Sequence, residues 1–221
     1  EEKAQILNAA DLQIHYTEIV SCGDGLVTLH AEKKFSPAPF FIMGNLGNPC
    51  FAQKAGLHTT RNLSQIHHCQ GVIVGEKDYD WEITINAVVN FFIQKPDALL
   101  IVPNPDEYYP GKIPGHICIG AGGVARFIAR VLKNYGISVS PIYLGKPFSP
   151  IFQKTHAQLE SFYGRPVSRN RVLMTGDFLL SDIQGALDFG YLSALVLTGV
   201  TTADMLERSK VSPDLVFETL G

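Results

Sequence analysis

The chain is poor in the features that mark several special classes of protein. It has four cysteines in 221 residues. Cys22, Cys50, Cys69 and Cys118 are widely spaced, with no C-x-x-C pair, which fits scattered thiols in a reduced, cytoplasmic protein. Charge of either sign is scarce in excess: 18 Lys and Arg against 21 Asp and Glu leave a net charge of −3. No basic field is available for nucleic acid or for an anionic membrane. No apolar run is long enough to span a bilayer as a helix. Internal repeats and low-complexity tracts are missing as well. The run His67-His68-Cys69 reads as a loop, because adjacent side chains point in different directions. What remains is an ordinary globular composition, 46% apolar, enough for one large domain or two small ones.

Short apolar runs alternate with helical periodicity. Phe40 to Met43, Gly71 to Gly75, Ala98 to Val102 and Ile142 to Leu144 read as buried strands. Helices are expected at Glu1 to Leu12, Tyr16 to His30, Phe51 to Ala55, Trp81 to Gln94, Val124 to Tyr135 and Pro150 to Tyr163. Ser36-Pro37-Ala38-Pro39 and Ser138-Val139-Ser140-Pro141 break the pattern as hinges. Alternation of this kind predicts an α/β fold with parallel strands.

The most informative stretch runs from Arg171 to Val200. A strand, Val172 to Met174, ends at Gly176-Asp177. A helix opens at Ser181-Asp182 and stops at Gly190, and Leu195 to Leu197 forms the next strand. Parallel sheets place ligands at the carboxyl ends of their strands, and Asp177 stands there with Asp182 five residues on. Two carboxylates converging on one point call for a cation or a proton between them. Mg²⁺, with its preference for oxygen ligands, is the natural occupant. The plainer roles are a helix cap for Asp177 and a dipole-favoured first-turn carboxylate for Asp182. Thr201 and Asp204 suit a capping box for a further helix, and Leu215 to Phe217 an edge strand.

Lys146, in Gly145-Lys146-Pro147, follows a short strand, and Pro147 fixes the turn after it; its plain role is an exposed lysine in that turn. Asn104 and Asp106 follow a strand in N-P-D, which is either a ligand-facing loop or an Asx-Pro turn. Ile117 to Ala125 fits strand, G-x-G-x-x-A, helix, as in dinucleotide binding. No acid follows at the ~20-residue spacing that would hold a ribose, so these glycines read as a tight turn near a substrate entrance. Cys22-Gly23-Asp24-Gly25 only superficially matches the end of a nucleophile motif.

G-D-x-x-x-x-D at Asp177 and Asp182, G-K-P at Lys146, N-P-D and Leu197-Thr198-Gly199-Val200-Thr201 together resemble the haloacid dehalogenase (HAD) superfamily. The resemblance is to its branch with a large α/β cap, that of the NagD-like and 4-nitrophenyl phosphatase-like enzymes. It implies a Rossmann-like parallel-sheet core from residues 1–35 and 141–221 and an inserted α/β cap at 36–140. It further implies a Mg²⁺-dependent phosphatase acting on a small phosphomonoester through a phosphoaspartate. Asp177 and Asp182 would serve the metal, Lys146 catalysis and substrate binding, and Asn104 and Asp106 the substrate. A homodimer through the cap is the expected assembly. The family's D-x-D-G nucleophile motif is not found, so the nucleophile and its acid–base partner are expected upstream of Glu1. The alternatives are a non-catalytic HAD-like binding module and a dinucleotide-binding oxidoreductase.

Overall fold

A computed structural model describes residues 2–113 and 115–220. Helix α1 (Glu2–Asn8) is shorter than its apolar spacing suggests. The Asn8 side chain bonds both the amide and the carbonyl of Ile14, at 2.8 and 3.0 Å, and so draws the chain into a turn. The single helix expected over Tyr16 to His30 is instead two 3-10 turns, Tyr16–Glu18 and Cys22–Asp24, followed by α2 (Gly25–Glu32). Asp24 restarts the helix by accepting from the amide and hydroxyl of Ser21, at 2.7 and 2.8 Å.

The next elements are β1 (Phe40–Met43), α3 (Phe51–Lys54), β2 (Thr59–Thr60), β3 (Gly71–Val74), α4 (Trp81–Gln94) and β4 (Leu99–Val102). A hairpin, β5 (Tyr108–Pro110) and β6 (Ile117–Ile119), leads into α5 (Ala121–Asn134), β7 (Ile142–Tyr143) and α6 (Ser149–Tyr163). Strand β8 (Leu173–Gly176) enters a π turn, Leu179–Ile183, that continues as α7 (Gln184–Phe189). The chain closes with β9 (Leu192–Val196), α8 (Ala203–Glu207) and β10 (Leu215–Phe217). Gly190 ends α7 in the left-handed region at φ 86°, where glycine carries no Cβ penalty. Thr202, one residue later than expected, caps α8 by accepting from the Met205 amide.

Two parallel sheets result, so the α/β expectation holds. The larger has the order β2-β1-β3-β4-β7, the smaller β10-β9-β8. In the larger sheet, alternate residues serve opposite faces. Phe40, Ile42, Ile73 and Ile101 meet Leu26 and Leu29 of α2 together with Ala52 of α3. Phe41, Met43, Val72, Val74, Leu100 and Val102 meet α4 and α5. Burying each such side chain contributes about 1.5–3 kcal/mol, which explains why these strands read as unbroken apolar runs. The boundary expected at 141 is not respected by this sheet: β7 pairs with β4, Ile101 opposite Ile142 and Val102 opposite Tyr143. Nor is α2 confined to the smaller unit, since it packs on the larger sheet.

In the smaller sheet β8 has β9 as its one neighbour among the described residues. Leu173 is 47% exposed and Leu192 43%, whereas parallel strands are normally covered on both faces. No helix among the described residues is long and apolar enough to cross a membrane.

Candidate active site

The site is built where β8 ends. Gly176 passes beneath the Asp182 side chain, which leaves no room for a Cβ. The chain then turns so that the Asp177 and Phe178 amides both donate to Asp182 Oδ2, at 3.1 and 3.0 Å. Asp182 Oδ1 is paired with the Lys146 ammonium. The side chain of Asp182 is 5% exposed and that of Lys146 36%. G-D-x-x-x-x-D is therefore a closed local device in which the second carboxylate ties the first residue's turn to the lysine.

Asp177 faces the loop after β9. Its Oδ2 accepts from the Val200 amide at 2.8 Å, and its carbonyl accepts from the Thr201 amide at 3.0 Å. Gly199 lies so close to that carboxylate that any side chain would collide with it. Thr201, fully buried, accepts from the Leu179 amide at 3.0 Å and fixes the turn from the other side.

The N-P-D loop reaches this turn from the larger sheet. Ser181 Oγ donates to Asp106 Oδ1 at 2.8 Å. Burial pushes the Asp106 carboxyl above its ordinary range, and the negative charges of Asp182 and Asp177 add to the rise. The Ser181 hydroxyl and the Lys146 ammonium oppose it. Asn104 does not enter the cluster. Its Nδ2 donates to Glu76 Oε1 at 2.9 Å and its Oδ1 accepts from the Asp106 amide at 3.3 Å, so it shapes the loop. Tyr108, on the hairpin, lies against Phe178 with ring centroids 5.3 Å apart.

The glycine-rich stretch seats this loop. Gly120 and Gly122 lie against the backbone of Pro105 and Asp106, and Gly122 N donates to the Asp106 carbonyl at 3.1 Å. Strand β6 belongs to an antiparallel hairpin. The dinucleotide reading is corrected on both counts: β6 is outside the parallel sheets, and protein backbone occupies the space a pyrophosphate would need. Gly145 is pressed against Pro105 and the Pro103 carbonyl, bringing the lysine turn and the N-P-D loop together.

Lys146, Asp177, Asp182 and Asp106 thus share one cluster, and Asn104 supports it from behind. Asp182 has partners other than those expected of a metal ligand, because both its oxygens bond within the protein. Asp177 Oδ2 is likewise engaged. Among the described residues no group of three or more His, Cys, Asp or Glu could hold a metal ion. Sequence reasoning missed three contributors. Glu76 lies in no motif, Ser181 was placed only as a helix opener, and Thr201 as a cap and the end of the Leu197–Thr201 motif, with no part in the Asp177 turn.

Residues 143–221 match the family model described as HAD-hydrolase-like. The ribonucleotide monophosphatase NagD of Escherichia coli K12 is 26% identical over 153 residues, which cover 68% of this chain and 53% of that protein. The chain thus spans about half the length of that curated relative. The acid sugar phosphatase of Staphylococcus saprophyticus is 24% identical over 226 residues, covering 100% of this chain and 78% of its own. Among solved structures, a possible sugar phosphatase of the HAD superfamily from Cytophaga hutchinsonii superposes with a TM-score of 0.78. It is 26% identical and covers 99% of this chain and 77% of that one. Over residues 143–221 the chain is similar to HAD-type hydrolases, and its parallel-sheet fold matches that of the solved sugar phosphatase-like structure. The resemblance to NagD-like phosphatases in particular is borne out by these relatives.

Proposed function

We propose that this chain belongs to a Mg²⁺-dependent phosphatase that hydrolyses a small phosphomonoester through a phosphoaspartate. The observation that carries the reading is the Lys146–Asp182 pair locked beside Asp177 at the strand ends, with the Asp106 loop against the same turn. Asp182 fixes the ammonium so that it need not reorganise as phosphoryl charge builds up. Asp106 and the hairpin residue Tyr108 flank the position where a leaving group would lie. Similarity to named phosphatases supports the same reading.

The attacking aspartate and its acid–base partner belong, in this reading, to a strand that pairs with the open edge of β8. The exposed Leu173 and the single neighbour of β8 support that placement. Asp177 is the group this chain would contribute to a Mg²⁺ site, where the ion would offset phosphate charge and keep several waters in its shell. A homodimer through the larger unit belongs to the same reading. Trp81 and Ile83 of α4, Phe127 of its neighbour α5 and Tyr135 just after α5 are all exposed, 47 to 68%.

The test is hydrolysis of p-nitrophenyl phosphate by the native-length protein, with Mg²⁺ and with EDTA. Turnover that needs Mg²⁺ and falls at least about 100-fold in Asp177→Asn is expected. Absence of turnover, with Mg²⁺ bound or not, would instead favour a non-catalytic binding module.

A further inference from the structure

A crevice lies along the same carboxyl edge of the larger sheet, on its β2-β1 side, whereas the N-P-D loop and Lys146 follow β4 and β7. Neighbouring strands there send their chains to opposite faces. The loop after β1 runs to α3, which packs on the face of Phe40 and Ile42. The loops after β2 and β3 lead to Leu63 and Ile66 and to α4, on the face of Phe41 and Met43. Where connections diverge in this way, a crevice opens outside the carboxyl ends of the strands, and open α/β sheets bind ligands in it. Here the crevice measures about 720 Å³, within the ~300–1,000 Å³ usual for small-molecule sites.

Its lining is chemically specific. The Arg61 guanidinium is pinned through Nη1 to the Gly44 carbonyl, and it makes no ion pair among the described residues. Its remaining N–H groups form a fixed fork suited to an oxyanion. Asn48, Gln53 and Thr59 also line the crevice, and their side chains make no hydrogen bond among the described residues. Each offers a donor and an acceptor, as a sugar hydroxyl does. Asp78, whose Oδ2 accepts from Asn45 Nδ2 at 3.0 Å, adds acceptor capacity.

We infer that this crevice binds a small polyhydroxylated anion, a sugar phosphate or sugar acid, with Arg61 on the anionic group and Asn48, Gln53 and Thr59 on the hydroxyls. The site is separate from the Lys146 cluster and stands whether or not that cluster hydrolyses phosphate. Its backbone nevertheless leads there. Asn45 and Glu76 exchange amide–carbonyl bonds at 2.6 and 2.9 Å, and the Glu76 side chain holds Asn104.

The experiment is a titration of the full chain carrying Asp177→Asn and Lys146→Met, so that the first site neither turns over nor holds the probe. The probes are glucose 6-phosphate, gluconate, glucose and inorganic phosphate, followed by amide chemical shifts. Saturable shifts at Gly47, Thr60 and Asn62 with one of the two anionic sugars are expected, and which of them binds more tightly identifies the anionic group. Arg61→Ala should weaken binding at least tenfold. Because that change also removes the bond to Gly44, the exposed, unbonded Asn48→Ala and Gln53→Ala provide the second reading, each several-fold weaker. Shifts confined to the Lys146 cluster, binding unchanged by all three substitutions, or binding of inorganic phosphate alone as an adventitious ion only would overturn the proposal.

Discussion

Replacing Asp182 by alanine tests how the GD-x-x-x-x-D turn is held. The carboxylate is 5% exposed, accepts from the Asp177 and Phe178 amides, and pairs with Lys146. Its removal strands two amide donors, each costing about 1–3 kcal/mol if left unpaired. The ion pair adds little more than about 1 kcal/mol, because Lys146 stays partly in water. A loss of about 3–7 kcal/mol follows, a large share of the ~5–15 kcal/mol that holds a typical domain together. Asp182→Asn keeps an acceptor for the amides but turns an NH₂ toward the ammonium, so about 1–2 kcal/mol is expected. Urea unfolding followed by far-ultraviolet circular dichroism gives both values. An alanine variant within about 0.5 kcal/mol of the parent would show that Asp182 does not anchor the turn.

Three further outcomes follow from neighbouring contacts. Burial raises the Glu76 carboxyl, and its Oε2 is buried without a partner. The stability tied to this group is present below the unfolded carboxylate range and is lost as pH rises through the raised folded value. Glu76→Gln should therefore raise the urea midpoint at pH 7.5 and leave it unchanged near pH 3; a lower midpoint at pH 7.5 would contradict this. Gly122→Ala drives a methyl group into the Pro105 carbonyl and should cost about 1–3 kcal/mol, seen as a lower melting temperature, with an unchanged melt refuting the seating of the N-P-D loop. Ser181→Ala removes the hydroxyl that partly opposes the rise of the Asp106 carboxyl, so Asp106 should titrate at a still higher pH by carboxyl ¹³C shifts; a lower titration point would argue against that bond.

Much of the larger sheet was legible because its strands are buried on both faces, so Phe40 to Met43 and Leu99 to Val102 needed no long-range information. Helix α4 matched its expected ends, with Asp80 capping it at the Ile83 amide. The second helix was not legible, because Ser21 and Asp24 satisfy each other locally and the periodic apolar positions could not show that break. Of the site, Asp177 and Asp182 could be placed from spacing within one short turn, and Lys146 through the resemblance of its G-K-P to a family motif. The contact between Ser181 and Asp106 joins residues 75 apart and depends on how Gly120, Gly122 and Gly145 let three backbones approach. A glycine in sequence signals freedom or closeness, but not what it is close to. The glycine run therefore also fitted a nucleotide loop, and only the missing ribose acid favoured the tight turn.

The most direct measurement of the central claim is kcat/KM for p-nitrophenyl phosphate with the native-length protein and its Lys146→Met variant, each checked for an intact fold by circular dichroism. If the Lys146 ammonium, held by Asp182, carries phosphoryl charge in the transition state, the variant loses at least about 100-fold. Equal kcat/KM for the two folded proteins would place the chemistry elsewhere.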